Sequence, residues 1–391
     1  MRASPASSPL ACALALALAA APVLAQSPPL VLEADDGPAA PGRLRAAAAL
    51  TAPVLLSPEA EARCGEERIT PVFAADLPPG LYGSTFQRGQ AGQRINTAAI
   101  AFELDGTGRP LGIRALSAGS EGSATDALSP AMHEPTHAAF AGWRFDAGAR
   151  TGCVLTIRYT PVPIDQADPT LLTRFFGVTR TSGPAREAVQ ARLRGPGRAC
   201  DPDRRALTVA FPDFDVGNPR PGVQDWTVVQ WSVDAEGRPF DVATLDSSGD
   251  AGFDAEARRV AGSVRLEPGR VLTGCLYNWY RRGAILPAPP MPAPPPDPLT
   301  ACPQAVLSGF RPGEFEPTAT AFRARGVEGW ALVRFDIAPW GEIGNVAVMV
   351  AQPAAAFGEA ARRIVMTGRG QPGPGAIRCV QPFQFRVPPE R

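Results

Sequence analysis

The chain has 391 residues, of which 45% are hydrophobic and 19% are charged. This length exceeds what one core of ordinary size organises, so it predicts two or three domains. The 38 basic residues are all arginine and are balanced by 38 acidic residues. Because no stretch is strongly basic, the composition argues against a nucleic-acid-binding protein.

The N-terminus has the pattern of a cleavable secretory signal. Arg2 precedes an apolar run from Leu10 to Leu24, and Ala25 ends a small-residue cleavage site. The run is shorter than the roughly 20 residues of a membrane-spanning helix, so we expect cleavage after Ala25, export to the periplasm and no permanent membrane anchor. Retention of this segment as an anchor is the alternative. The next segment, residues 26–63, is rich in alanine and proline and is expected to be only partly ordered.

A repeat organises the rest of the chain. Three intervals share it, and each begins and ends with a cysteine: Cys64 to Cys153, Cys200 to Cys275, and Cys302 to Cys379. In each interval, apolar and polar residues alternate on both sides of a Gly-containing turn, which predicts a β-hairpin with one buried face. The aligned Phe102, Trp231 and Phe335 are expected on that face.

A helical pattern follows the hairpin. Residues 253–260 and 357–365 carry apolar side chains at i, i+4 and i+7, which predicts one stripe facing a sheet. An alternating run after the second cysteine of each interval predicts a third strand. Pro382 within the last run indicates a strand that lies at a sheet edge or carries a bulge.

These patterns predict an α+β protein of three small modules, each a three-stranded antiparallel sheet with helices packed on one face. A proline-rich run, residues 284–300, favours extended polyproline II and is expected to hold the second and third modules apart. The segment 164–198 has a helical pattern and could pack onto a neighbouring module. Expected boundaries are residues 1–25 for the signal peptide, 26–63 for the N-terminal segment, 64–163, 199–283 and 301–391 for the modules, and 164–198 and 284–300 for the linkers.

The third interval and much of the second carry a family likeness. The residues that carry it are Gly329–Ile337, Gly341, Asn345-Val346 and Phe357–Ala361, preceded by 315–321, and in the second interval Val233-Asp234, Gly237, Ser247–Gly249 and Phe253-Asp254. This order resembles the C-terminal domain of TonB. The first interval keeps the hairpin and closing strand but departs in its helical part.

The resemblance implies a periplasmic domain that binds a short segment of an outer-membrane receptor by adding a strand to its sheet edge. Such an edge offers unpaired N–H and C=O groups. The implied partner is a protein or peptide linked to TonB-dependent transmembrane transport, and the implied site is the last strand, with Val380, Gln381, Phe383 and Phe385. A transducer of this family has one such domain and an N-terminal anchor, whereas this chain has three and a cleavable signal. A membrane-anchored energy transducer is the alternative if the signal is not cleaved.

Export also favours one disulfide per module, because thiols oxidise in that compartment. The expected pairs are Cys64–Cys153, Cys200–Cys275 and Cys302–Cys379. Each would close a loop from the entry of a module to its end and stabilise it by about 4 kcal/mol. Free core thiols are the alternative.

One motif fits the zinc-hydrolase pattern H-E-x-x-H, with His133, Glu134 and His137. Pro135 interrupts the helix that this chemistry requires, and the sequence has no other histidine. The prediction is therefore a binding protein without enzyme activity, cofactor or metal, with a proline-interrupted helix or loop and solvated imidazoles here. An envelope zinc hydrolase is the alternative.

Overall fold

A computed structural model describes residues 54–81, 97–116, 130–178, 183–200, 204–313 and 319–388. The predicted signal peptide and residues 26–53 lie outside these ranges. The described residues form an α+β structure with antiparallel sheets. The strands are β1 (Val54–Cys64), β2 (Glu67–Ile69), β3 (Gly80–Leu81), β4 (Thr97–Leu104), β5 (Pro110–Ala115), β6 (Arg150–Pro163), β7 (Ala206–Thr208), β8 (Gln224–Val233), β9 (Pro239–Ser247), β10 (Arg265–Leu266), β11 (Leu272–Arg282), β12 (Gly329–Ile337), β13 (Ile343–Gln352) and β14 (Ala376–Phe385). The helices are α1 (Pro130–Ala141), α2 (Pro169–Val178), α3 (Pro184–Arg194), α4 (Ala251–Ser263), α5 (Gln304–Ser308), α6 (Thr320–Ala324) and α7 (Ala355–Met366).

Three sheets share one strand order. A closing strand lies beside the first strand of a hairpin, giving β6–β4–β5, β11–β8–β9 and β14–β12–β13. The register is also shared, because the second cysteine of each interval lies opposite the aligned aromatic residue: Cys153 opposite Phe102, Cys275 opposite Trp231, and Cys379 opposite Phe335. The predicted hairpins and closing strands are therefore confirmed.

The helical stripes are confirmed as well. Phe253, Ala257 and Val260 of α4 are all fully buried, and so is Ala361 of α7. Helix α4 begins at an N-cap, Asp250, whose carboxylate accepts a hydrogen bond from the Phe253 N–H at 2.9 Å. This cap satisfies one of the backbone donors that a helix start leaves unpaired.

The three predicted disulfides are confirmed. They close loops of 89, 75 and 77 residues. Cys64 and Cys153 lie directly opposite each other in neighbouring strands. In all three, the second cysteine lies in the closing strand; the first lies at the end of β1 in the first sheet and ahead of the hairpin in the other two.

The first sheet differs from the predicted three strands, since six strands form it. The largest addition is β1, an 11-residue strand that pairs antiparallel with β6 along its whole length. Residues 54–63, which the sequence assigned to the N-terminal segment, are thus part of the first sheet. Leu55 and Leu56 are fully buried, and the ladder to β6 supplies hydrogen bonds that isolated Ala- and Glu-rich sequence lacks.

The second sheet has helices on both faces rather than on one. Helix α4 covers the face that carries Val229, whereas α2 and α3 cover the face of Val228. The segment 164–198 thus forms two helices that pack on the second sheet. Phe175 and Phe176 of α2 bury their rings there and are at most 2% exposed.

The proline-rich segment does not hold its neighbours apart. Leu286 is 5% exposed and belongs to a core with Val223 of the second sheet's segment and Val327 of the third's. Its N–H donates to the Gly326 carbonyl at 2.8 Å. The expectation of a spacer that holds two modules apart is wrong because one leucine, Leu286, is apolar enough to anchor the segment in a core.

The first and third sheets also meet. The Ile113 N–H on β5 donates to the Pro353 carbonyl at 2.9 Å, just beyond the end of β13. Beside it, the Gly112 N–H donates to the Gln352 side-chain oxygen at 2.8 Å. Because Phe357 of α7 shares one apolar core with Phe140 of α1, the two sheets are fixed to each other by packing as well.

A buried ion cluster holds the second sheet's segment together. The Arg281 guanidinium lies 3.3 Å from a carboxylate oxygen of Asp225 and 2.8 Å from one of Asp250, and all three side chains are at most 5% exposed. It also lies over the Phe253 ring and donates to the Val216 carbonyl. Burial raises the pKa of Asp225 despite the neighbouring Arg281 and Arg220. Arg281 therefore bridges two carboxylates that water does not reach, and the Arg220 guanidinium lies 3.4 Å from the other oxygen of Asp225.

Candidate functional site

The closing strand β14 forms an edge of the third sheet. Among the described residues, β12 is the strand that pairs with it, and its other side forms a backbone bridge with Ala301. The Ala301 and Ile377 backbones exchange hydrogen bonds of 3.1 and 2.9 Å. From Val380 to Gln384, no strand of the described chain runs along the outer side, which confirms the edge position that Pro382 predicted.

The outward backbone groups of this edge follow from the register. Pro382 lies opposite Leu332, and a proline in an edge strand turns its missing N–H toward the open side. Alternation along an antiparallel ladder then turns the N–H and C=O of Val380 and Gln384 outward too. The edge thus offers two donors and three acceptors to an added strand.

The side chains predicted for this site divide into two groups. Phe383 and Phe385 are half-buried and pack on the third sheet's core, with the Phe385 ring centroid 5.5 Å from that of Phe357. Val380 and Gln381 are half-buried as well, whereas Pro382 and Gln384 between and beside the rings are exposed. A strand added here would contact the two phenylalanine rings on the core side and would pair with backbone N–H and C=O groups along the edge.

The equivalent edge in the first sheet is occupied by the protein's own strand. β1 runs antiparallel along the outer side of β6, from Val54 opposite Pro163 to Cys64 opposite Cys153. Sequence reasoning missed this strand. The sequence signal for this strand was the alternation of charged residues and alanines from Glu59 to Arg63. In the structure Ala62 is buried, and the charged residues at both ends are exposed.

The H-E-x-x-H residues lie on helix α1, which continues through Pro135. The expectation of solvated imidazoles is wrong for His137, which is 7% exposed, and its ring centroid lies 5.9 Å from that of His133. Burial first, and the neighbouring His133 second, lower the pKa of His137 to about 4. The helix tolerates its proline because the residues around His137 are deeply packed.

Glu134, which would activate water in a zinc hydrolase, has another task. Its carboxylate accepts the Ala321 N–H at 2.7 Å, at the start of α6. This contact caps a helix from the third segment with a residue of the first. In the part of the chain that the structure describes, no third His, Cys, Asp or Glu joins the two histidines in a set that could hold a metal ion.

The buried imidazole predicts a pH-dependent stability. The pKa of His137 is about 4 when folded and about 6.5 when unfolded, so the unfolded chain binds more protons between these values. Stability should therefore be full above about pH 6.5 and fall by about 3 kcal/mol as the pH drops to about 4. Urea unfolding between about pH 7 and pH 5 should show this slope in the wild type and lose it in His137→Gln. A wild-type stability that is flat over this range would contradict the assignment.

Models of known protein families do not match the chain, and a search of curated proteins finds no similar sequence. Of the helices in the described ranges, none has the length and apolar character needed to cross a membrane.

Proposed function

We propose that the protein is an exported periplasmic binding protein that captures extended peptide segments by β-strand addition to the outer edge of β14. One observation carries the proposal: β14 is open along Val380–Gln384, while the equivalent edge of β6 is filled by an antiparallel strand. The pairing of β1 with β6 in the first sheet thus shows, within one chain, the kind of strand pairing that we propose between a partner peptide and β14 of the third sheet.

The proposal treats the three disulfide-bonded segments as diverged copies of one TonB C-terminal-like module. Shared strand order and the shared cysteine-to-aromatic register support it. The partner class is an extended segment of an outer-membrane transport protein. Backbone pairing supplies affinity in this recognition mode, and pockets for alternate side chains supply specificity.

Export is part of the proposal. The signal-like N-terminus and three disulfides support it, because disulfides persist in the periplasm. The intact mass of protein purified from the envelope tests this directly. A mass that begins at Gln26 fits an exported protein without its signal, whereas a mass that retains residues 1–25 fits the anchored alternative.

The edge predicts how substitutions at Val380 change peptide binding. Val380→Pro removes one outward N–H, and each such hydrogen bond contributes about 1 kcal/mol, so affinity should fall about fivefold or more. The probe is a ten-residue peptide selected from a random displayed library against the wild-type protein, and its affinity is measured by calorimetry.

The matched control is Val380→Ala, which loses the side chain but keeps the N–H. It should bind nearly as tightly as the wild type. Equal losses in the two variants would show that the side chain carries binding and would contradict strand addition. Failure of the wild type to select any peptide would overturn the proposed function.

A further inference from the structure

In each module the first cysteine brings the preceding chain to the outer side of the closing strand. Cys64 lies opposite Cys153 on β6. In the second module the Thr273 N–H of β11 donates to the Ala199 carbonyl at 3.1 Å, and in the third Ala301 pairs with Ile377 of β14. The chain upstream of each first cysteine therefore starts in position to continue along that edge.

Among the described residues, the chain upstream of the first cysteine forms a strand along this edge only in the first module. The upstream segment there, residues 54–63, contains a single proline, Pro58. That proline lies between the parts of β1 that pair with β3 and β2, so its missing N–H interrupts no pairing on that side. The result is a closed edge on β6.

In the third module the upstream segment passes the edge without pairing. The Trp330 indole N–H donates to the Pro289 carbonyl at 2.8 Å, and Trp330 lies opposite Gln384. The segment is thus held near both ends of β14, at Pro289 and at Ala301. Twelve residues separate these points, whereas the strand from Gln384 to Ile377 needs about seven.

Its composition explains why this segment does not pair. Five prolines between residues 292 and 298 have no N–H to donate, and residues 292–296 are exposed. The Asp297 carboxylate accepts from the Arg378 guanidinium at 2.6 Å, and the Thr300 N–H closes a turn on the Asp297 carbonyl. These contacts hold residues 297–300 at the Arg378 end of β14, outside the open stretch from Val380 to Gln384.

We infer that the segment before the first cysteine decides which module receives a partner: β1 permanently closes the first module, and segment 292–301, whose prolines cannot pair as a strand, leaves the β14 edge of the third module open. This inference rests on the proposed function and specifies where the peptide binds. In the second module helix α3 and the glycines after it, Gly195 and Gly197, occupy the corresponding position in sequence.

The test exchanges the two segments. In a chimera, residues 292–301 are replaced by the ten residues of 54–63, and a control carries ten Gly and Ser residues there. Hydrogen exchange reports the Val380 and Gln384 amides without any ligand, and calorimetry reports affinity for the library-selected peptide. Exchange at β12 amides, together with the mass of the oxidised protein, shows that each variant folds with its disulfides.

The chimera should protect the Val380 and Gln384 amides at least tenfold and weaken peptide binding at least tenfold, while the Gly/Ser control matches the wild type. Edge amides that stay unprotected in a folded chimera would overturn the inference and leave the proposed function standing. If the wild type selects no peptide, the proposed function fails, and the exchange measurement still decides whether the segment closes the edge. Protected amides with unchanged affinity would overturn both, because the peptide would then bind elsewhere.

Discussion

Replacing Arg281 with methionine should lower the free energy of unfolding by about 3–5 kcal/mol, because it leaves buried Asp250 without its cation and leaves buried Asp225 with only the partly exposed Arg220. Asp225 and Asp250 are both almost fully buried and share the Arg281 guanidinium. Methionine fills a similar volume, so the loss reports charge more than packing. Urea unfolding with all disulfides intact measures the effect.

The same cluster predicts how the loss depends on pH. Without Arg281, the carboxylates become easier to protonate, and a protonated carboxyl is far cheaper to bury. The deficit of Arg281→Met should therefore shrink as the pH falls from about 7 to about 4.

An exposed pair provides the control: Arg362→Ala breaks the contact with Glu359 on α7 and should cost less than about 1 kcal/mol. Similar losses in the two variants would refute the role of burial.

Removing the third disulfide should have a comparable effect. The Cys302–Cys379 bridge closes a loop of 77 residues, and the loss of this constraint on the unfolded chain is worth about 4 kcal/mol. The double variant Cys302→Ser/Cys379→Ser should unfold at a clearly lower urea concentration. The other two bridges must be verified by mass in the sample.

A single variant separates the bridge from the core. Cys379 is fully buried, so a serine there adds the cost of a buried hydroxyl. Cys302→Ser keeps the sulfur at position 379 and still removes the bridge. If this variant loses less than about 1 kcal/mol while the double variant loses several, the cross-link itself stabilises little.

The hairpins could be predicted because they depend on local spacing, and the cysteine pairing could be predicted because each repeated interval begins and ends with a cysteine. The turn glycines fix the hairpins, and Cys153, Cys275 and Cys379 mark the same register in three sheets. The edge position of β14 was also readable, because one proline, Pro382, is incompatible with a central strand. The hairpins and the edge position are properties of short stretches of chain, and the pairing is a property of the repeat.

The missed features depend on distant contacts. Helix α1 contains a proline and two histidines, and it is stable because its buried residues meet a core shared with the third segment. The sequence pattern around Glu134 is that of a catalytic base. In the structure, however, its carboxylate accepts the N–H of Ala321, which lies far along the chain. The docking of Leu286 likewise needs Val223 and Val327, which no local pattern relates to it.

Strand β1 also determines how the protein responds to mechanical load. Tension applied upstream of Val54 would act on the end of β1 farthest from Cys64, so the ladder to β6 would open from that end toward the disulfide. After roughly 35 Å of chain has been released, the covalent Cys64–Cys153 bridge takes the load and stops the peeling. The first sheet therefore has a short strand that can be extended under tension up to the position of the disulfide. Until that point, the tension does not reach the other sheets.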